Sequence, residues 1–250
     1  MGFLLGLAQV YRSQDNAELA QAANHALDTV RAFAEKATAL GVDLLVFPEF
    51  LMTPLVGAPD GFRRAAQPLD GPFAKTVGEI AAANKIRIVF TMNQQNDSHP
   101  DAKPLNTAVV VDPAGAVRGT YSKNHLFDLN PIKESDYMEP GNSLLAPVSA
   151  PFAKFSMGIC YDLRFPEIAE AAAGQGANLM LYPAGWADGP SKAGQWRALL
   201  AERALQTGMY VAGVSLAGPG YIGQSCVYAP DGTQLAAAGR GEELLVCEIG

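Results

Sequence analysis

Apolar runs of strand length alternate along this chain with stretches of helical period, and that alternation narrows the folds open to it more than any other feature. The opening Met1 to Val10 reads as a first strand. Asn16 to Leu40 then sets Leu19, Ala22, Ala26, Val30, Phe33 and Ala37 at helical spacing and closes at Gly41, the pattern of a long amphipathic helix. A strand over Asp43 to Phe47, a Pro/Gly-containing loop, a helix around Pro72 to Asn84 and a strand from Ile86 to Thr91 complete a β-α-β-α-β series. The middle changes character. Thr107 to Gly119 is an apolar strand, a Pro/Gly turn and a return strand, and Cys226 to Leu235 repeats that layout. Helices over Pro166 to Gln175 and Gln195 to Thr207, with strands over Asn178 to Tyr182 and Tyr210 to Ser215, fill the second half. Two similar hairpins, one in each half, suggest two sheets of related layout. Stacked face to face with helices outside, they would bury both sets of apolar strands.

At 250 residues and 49% hydrophobic, the chain is able to bury one sizeable core, and no linker or charge block divides it, so one domain over residues 1–250 is expected. A net charge of -7 with scattered basic residues argues against a nucleic-acid groove, which needs concentrated positive surface. Cys160, Cys226 and Cys247 form an odd set without C-x-x-C spacing, which points away from a disulfide framework or a zinc cluster and fits a reducing cytoplasm. The apolar opening lacks a basic leader and is too short to span a bilayer. Position six, where a myristoylation motif needs Ser or Thr, is Gly6. No membrane partner is expected.

Three strand exits carry reactive side chains. In Phe155 to Glu167, an apolar strand runs into Cys160 and then into a helix that starts at Pro166, so the sulfur would stand at an element edge facing a cleft. In Val42 to Phe50, a short strand stops at Pro48 and presents Glu49 among Phe47, Phe50, Leu51 and Met52, surroundings that desolvate a carboxylate and raise its pKa toward the range of a general base. In Gly119 to Asp128, Lys123 again follows a strand-like run. Taken singly, each has an ordinary reading: a buried structural cysteine, a solvated carboxylate, a surface ammonium. Three together, at equivalent places, point to chemistry.

With FPE at Glu49, YSKNHLFD around Lys123 and GICYDLRFPE around Cys160, in that order, the chain resembles the carbon-nitrogen hydrolases of the nitrilase superfamily over nearly its whole length. The wording of the last two motifs is similar to the branch of omega-amidases and deaminated-glutathione amidases. The resemblance implies an α/β fold, a four-layer αββα sandwich, with no metal or organic cofactor. It implies Glu49 as general base, Lys123 as oxyanion stabiliser, Cys160 as nucleophile, and Glu134 as a second glutamate that positions the lysine or the substrate. It also implies a homodimer paired through helices near the site.

Such a trio suits amide hydrolysis. Lys123 would favour the Cys160 thiolate while Glu49 accepts its proton. The ammonium and the Tyr161 backbone N–H would receive the oxyanion, and Glu49 would then protonate the departing amine. The partner is therefore a small-molecule amide. Arg164 matches an arginine that in the omega-amidase branch binds a substrate carboxylate; its alternative is a salt bridge to Glu167 or Asp162. Trp186 is read as a pocket wall or a core residue, and His125 as a substrate-binding or loop-packing residue. Leu55 stands where that branch often has a tyrosine, which suggests a more apolar pocket. His25 and His99 fall in a helix and a polar loop, so a Cys-His scheme fares poorly. An N-carbamoyl amino acid hydrolase or a nitrilase would use the same trio, and outside enzymes the alternative is a catalytically idle binding protein of the same fold.

Overall fold

A computed structural model describes residues 2–13, 19–52, 59–98, 101–129, 131–144 and 146–250. Leu55 and His99 lie outside the described residues. The first half contains β1 (Phe3–Gln9), α1 (Leu19–Ala39), β2 (Leu44–Val46), α2 (Pro59–Ala65), α3 (Pro72–Asn84), β3 (Arg87–Gln94), β4 (Leu105–Val111) and β5 (Val117–Ser122). A small hairpin of β6 (Asp128–Leu129) and β7 (Ile132–Lys133) leads into the second half. There follow β8 (Val148–Ser149), β9 (Lys154–Met157), α4 (Pro166–Gly174), β10 (Leu179–Ala184), α5 (Lys192–Thr207), β11 (Tyr210–Ser215), β12 (Cys226–Tyr228), β13 (Gln234–Ala237) and β14 (Glu243–Ile249).

Two sheets result, ordered β14-β1-β2-β3-β4-β5 and β8-β9-β10-β11-β12-β13. Each has the same internal pattern: an antiparallel edge strand, three parallel strands, then an antiparallel hairpin. The related layouts expected from the two hairpins are therefore real, with β14 from the far end of the chain completing the first sheet.

The pleat explains how the sheets stack. Side chains alternate between faces with period two, and in the first sheet Leu5, Leu7, Leu44, Val46, Val89, Ala108 and Val110 pack in the same core as Phe155, Met157 and Leu181 of the second. The intervening Ala8, Leu45, Ile88, Phe90, Val109 and Val111 meet Val30, Phe33 and Ala34 of α1 and Val77 and Ala81 of α3. On the second sheet, Trp196 and Leu200 of α5 and Ile168 and Ala172 of α4 cover the outer face. This is the four-layer αββα sandwich.

The helices differ from the sequence reading in two places. The Pro/Gly-containing loop after Glu49 holds α2, whose Pro59 occupies a position where a missing N–H and a fixed φ suit a helix start. α5 begins at Lys192, ahead of Gln195, because the helix runs through Gly194 rather than starting after it. No helix of the described residues is long and apolar enough to cross a membrane.

Candidate active site

In open α/β sheets the carboxyl ends of parallel strands form the natural binding crevice. Tyr11 and Arg12 follow β1, Glu49 follows β2, Cys160 follows β9, and Gly185 and Trp186 follow β10; all line one cavity of about 750 Å³ together with Lys123, Glu134, Tyr161 and Arg164. Residues 49, 123 and 160, distant in sequence, are thereby brought to one place.

Lys123 continues the inward row of β5 after Tyr121 and is 1% exposed. Its ammonium donates to Glu49 Oε1 at 2.9 Å and to Glu134 Oε2 at 2.8 Å. Burial alone would push that ammonium down, but Glu134 and then Glu49 hold it well above its ordinary value. An ammonium has three N–H groups. Two are occupied, and the third has no acceptor among the described residues.

Glu49 is fully buried and is held from three sides, by Lys123, by Asn106 Nδ2 at 2.8 Å on Oε1, and by the Gly185 backbone N–H at 2.9 Å on Oε2. The segment behind it is pinned as well. Arg12 donates to the carbonyls of Phe50 and Leu51 at 2.5 and 2.9 Å, and Thr91 Oγ1 donates to the carbonyl of Pro48 at 3.0 Å. Phe50 itself adopts φ +58°, a left-handed conformation that a non-glycine residue takes only when its surroundings impose it. Glu134 opens a short turn over Glu134–Asp136 and also accepts the Phe127 N–H at 2.7 Å.

Cys160 sits at the start of a tight turn over Cys160–Arg164 with φ +47°. The left-handed region costs an ordinary residue roughly 1–2 kcal/mol. Asp162 holds the turn: its Oδ2 accepts the Ile159 N–H at 2.9 Å and its own N–H donates to the Ile159 carbonyl at 3.0 Å. Burial, with Glu49 adding, pushes the Cys160 thiol well above the ordinary thiol range against the pull of Lys123. The ammonium is shared by two carboxylates, which weakens its pull on the sulfur.

Arg164 lines the cavity and makes neither of the salt bridges considered for it. Its guanidinium donates to Gln195 Oε1 at 2.6 Å and lies over the Trp186 and Tyr161 rings at 5.3 and 5.8 Å, while its buried Nε has no hydrogen-bond partner among the described residues. Trp186 satisfies both of its readings: it walls the cavity and packs in the core against Trp196 at 5.0 Å, with Nε1 donating to the Lys192 carbonyl at 3.0 Å. His125 is corrected from a substrate-binding to a packing residue. It is not among the cavity-lining residues, because its ring stacks on Phe165 at 3.6 Å and its Nδ1 pairs with Asp162 Oδ1 at 2.8 Å. Among the described residues no group of three or more His, Cys, Asp or Glu side chains is arranged to hold a metal.

Sequence reasoning missed Asn106 and Asp162. Asn106 interrupts the apolar run Leu105–Val111 on the face that Ala108 and Val110 turn to the second sheet, and a polar residue there was a signal that something polar faces it.

The family model "Carbon-nitrogen hydrolase" matches residues 5–250. The deaminated glutathione amidase of Escherichia coli O157:H7 is 34% identical over 208 residues, covering 83% of this chain and 78% of that protein. A hydrolase of Mycobacterium tuberculosis is 33% identical, covering 98% of this chain and 88% of the other. Among solved structures, Saccharomyces cerevisiae Nit3, a member of the nitrilase superfamily, superposes with a TM-score of 0.84 at 28% identity over 99% of this chain and 89% of its own. An amidase from Nesterenkonia sp., in a form with acrylamide added to its active-site cysteine, superposes equally well at 0.84 and 25% identity, over 99% of this chain and 93% of its own. A match running from the first strand to the last, on a fold shared along nearly its whole length, makes this chain an enzyme of the carbon-nitrogen hydrolase family within the nitrilase superfamily.

Proposed function

We propose that the protein hydrolyses the terminal amide of a small carboxylate-bearing substrate through a Cys160 thioester, releasing ammonia. The observation that carries this is Cys160 lining one cavity with Glu49, which shares the Lys123 ammonium with Glu134. Cys160 Sγ attacks the amide carbon as its proton passes to Glu49. The carbonyl oxygen, now anionic, meets the free N–H of Lys123 and the backbone N–H of Tyr161. As the tetrahedral centre collapses, Glu49 gives the proton to the amine, and the C–N bond breaks to leave ammonia and a thioester. Water then enters and attacks the thioester as Glu49 takes its proton, and the second tetrahedral centre collapses to a carboxylic acid as the C–S bond breaks and Glu49 returns the proton to sulfur.

Arg164 supports the substrate class. A cation on the cavity wall with no acidic partner among the described residues suits a substrate that brings its own carboxylate. Several relatives carry the name deaminated glutathione amidase, which fits the same class. The reading includes one catalytic domain over residues 1–250, action in the cytoplasm, and a homodimer. An apolar Leu205 on α5, 62% exposed, supports pairing through that helix.

Ammonia release from 2-oxoglutaramate, deaminated glutathione, a carbamoyl amino acid, aliphatic amides and nitriles tests the function. Turnover is expected with acidic amides first. No turnover with any amide rejects the reading, and a monomer mass by light scattering at micromolar concentration rejects the dimer.

A further inference from the structure

We propose that Asn106 is a positioning residue that keeps Glu49 and Glu134 ionised side by side next to Lys123, and so sets the pH range over which Cys160 can hand over its proton. The inference rests on the Glu49, Lys123 and Cys160 reading above and adds to it a residue that never touches the substrate.

The charges near Lys123 do not balance. One ammonium serves two buried carboxylates, and like charges brought together out of water repel. A protonated Glu49 could not accept the thiol proton, and a protonated Glu134 would loosen the lysine. Asn106 meets this problem without adding charge. Its Nδ2 stands 2.8 Å from Glu49 Oε1 and 3.4 Å from Glu134 Oε1, so each carboxylate faces an amide hydrogen as well as the ammonium. The orientation of the amide is dictated by its neighbours, since its oxygen in that place would face two anions. Its backbone carbonyl accepts the Lys123 N–H at 2.8 Å, so the same residue anchors the lysine's own backbone.

The Gly185 N–H donates to Glu49 alone and the Phe127 N–H to Glu134 alone, whereas the Asn106 amide faces both. The titratable groups facing the pair are Lys123, Cys160, Tyr137 and Tyr221, with Arg12 beside Tyr221. Burial, with Glu134 next, pushes Tyr137 up to about 12, and burial, against the pull of Arg12, pushes Tyr221 up as well. Both phenols stay protonated through the working pH range.

The test is the pH dependence of Cys160 alkylation by iodoacetamide, read by mass at that residue alone, in the wild type, Asn106→Leu and Asn106→Ser. It needs no amide substrate. In Asn106→Leu the acid limb is expected to move up by about one pH unit, a roughly tenfold loss of rate at the acid foot with little loss on the alkaline plateau. Asn106→Ser, whose hydroxyl reaches one carboxylate at most, falls between. The acid limb of kcat/KM follows the same order. Should Asn106→Leu fail to fold by circular dichroism, Asn106→Asp takes its place and must move the limb in the same direction, because it adds a third carboxylate. A folded variant whose limb stays where the wild type's is, with rate lost equally at every pH or not at all, overturns the proposal. Wild-type enzyme that turns over no amide yet shows the expected alkylation series overturns the function proposed above and leaves the role of Asn106 standing.

Discussion

Tyr121 of the first sheet donates its hydroxyl proton to Asp162 Oδ2, at the nucleophile turn of the second, across 2.8 Å. That carboxylate, fully buried, also accepts from the Ile159 N–H and, on Oδ1, from the N–H and Nδ1 of His125 at 2.9 and 2.8 Å. It ties the segment carrying Lys123 to the one carrying Cys160. Asp162→Ala leaves these buried donors without an acceptor, so a loss of about 3 kcal/mol or more in urea unfolding is expected, with turnover lost below denaturation. Tyr121→Phe removes one donor and should cost about 1 kcal/mol, with activity within several-fold of wild type.

Cys160→Ala should abolish ammonia release and leave the far-ultraviolet circular dichroism unchanged. A variant that still turns over amide at the wild-type rate would remove sulfur from the mechanism.

Stability should fall as pH rises above the ordinary thiol range of about 8.5. Burial raises Cys160, Cys226 and Cys247, so the unfolded chain releases these protons before the folded one does, and each raised thiol lowers stability by up to about 1.4 kcal/mol per pH unit between its unfolded and folded pKa. Lys123, also raised, adds the same sign at higher pH. Urea midpoints measured from neutral to alkaline pH should decline less steeply in Cys160→Ala, which removes one of the three thiols.

Arg164→Ala should raise KM at least tenfold for acidic amides, the scale of a lost hydrogen bond to a charged group, and change neutral amides little. Arg164→Lys should recover only part of this, because an ammonium does not reproduce the planar stack on Trp186 and Tyr161. Equal effects on both substrate types would discard the carboxylate role.

Gly141→Ala should destabilise by about 1–3 kcal/mol and slow turnover, since its Cβ would lie 2.3 Å from the Ser122 carbonyl and the Gly141 N–H donates to the Lys123 carbonyl. Normal thermal stability and activity would contradict the packing around the lysine.

Glu49, Lys123 and Cys160 were readable from the chain because each follows a strand-like run at a strand exit, where local pattern and position in the fold coincide. Glu134 was reached by resemblance and lies 2.8 Å from Lys123. Asn106 and Asp162 escaped because what matters about them is the register of distant segments: Asn106 meets Glu49 57 positions away and Asp162 meets Tyr121 41 away, which no periodicity records. His125 was drawn toward the cavity by its closeness in sequence to Lys123, but Phe165 and Asp162 turn it aside. α2 was hidden for a compositional reason, the same Pro and Gly content serving a loop and a helix start alike.

The repetition of one strand pattern in two sheets divides the machinery between them: Glu49, Asn106 and Lys123 stand on the first, Cys160 and Gly185 on the second. The first half alone therefore presents carboxylates and an ammonium with no thiol beside them, and its sheet lacks β14, which follows the second sheet in the chain. Neither half can form the cavity by itself, because its lining comes from the strand exits of both sheets.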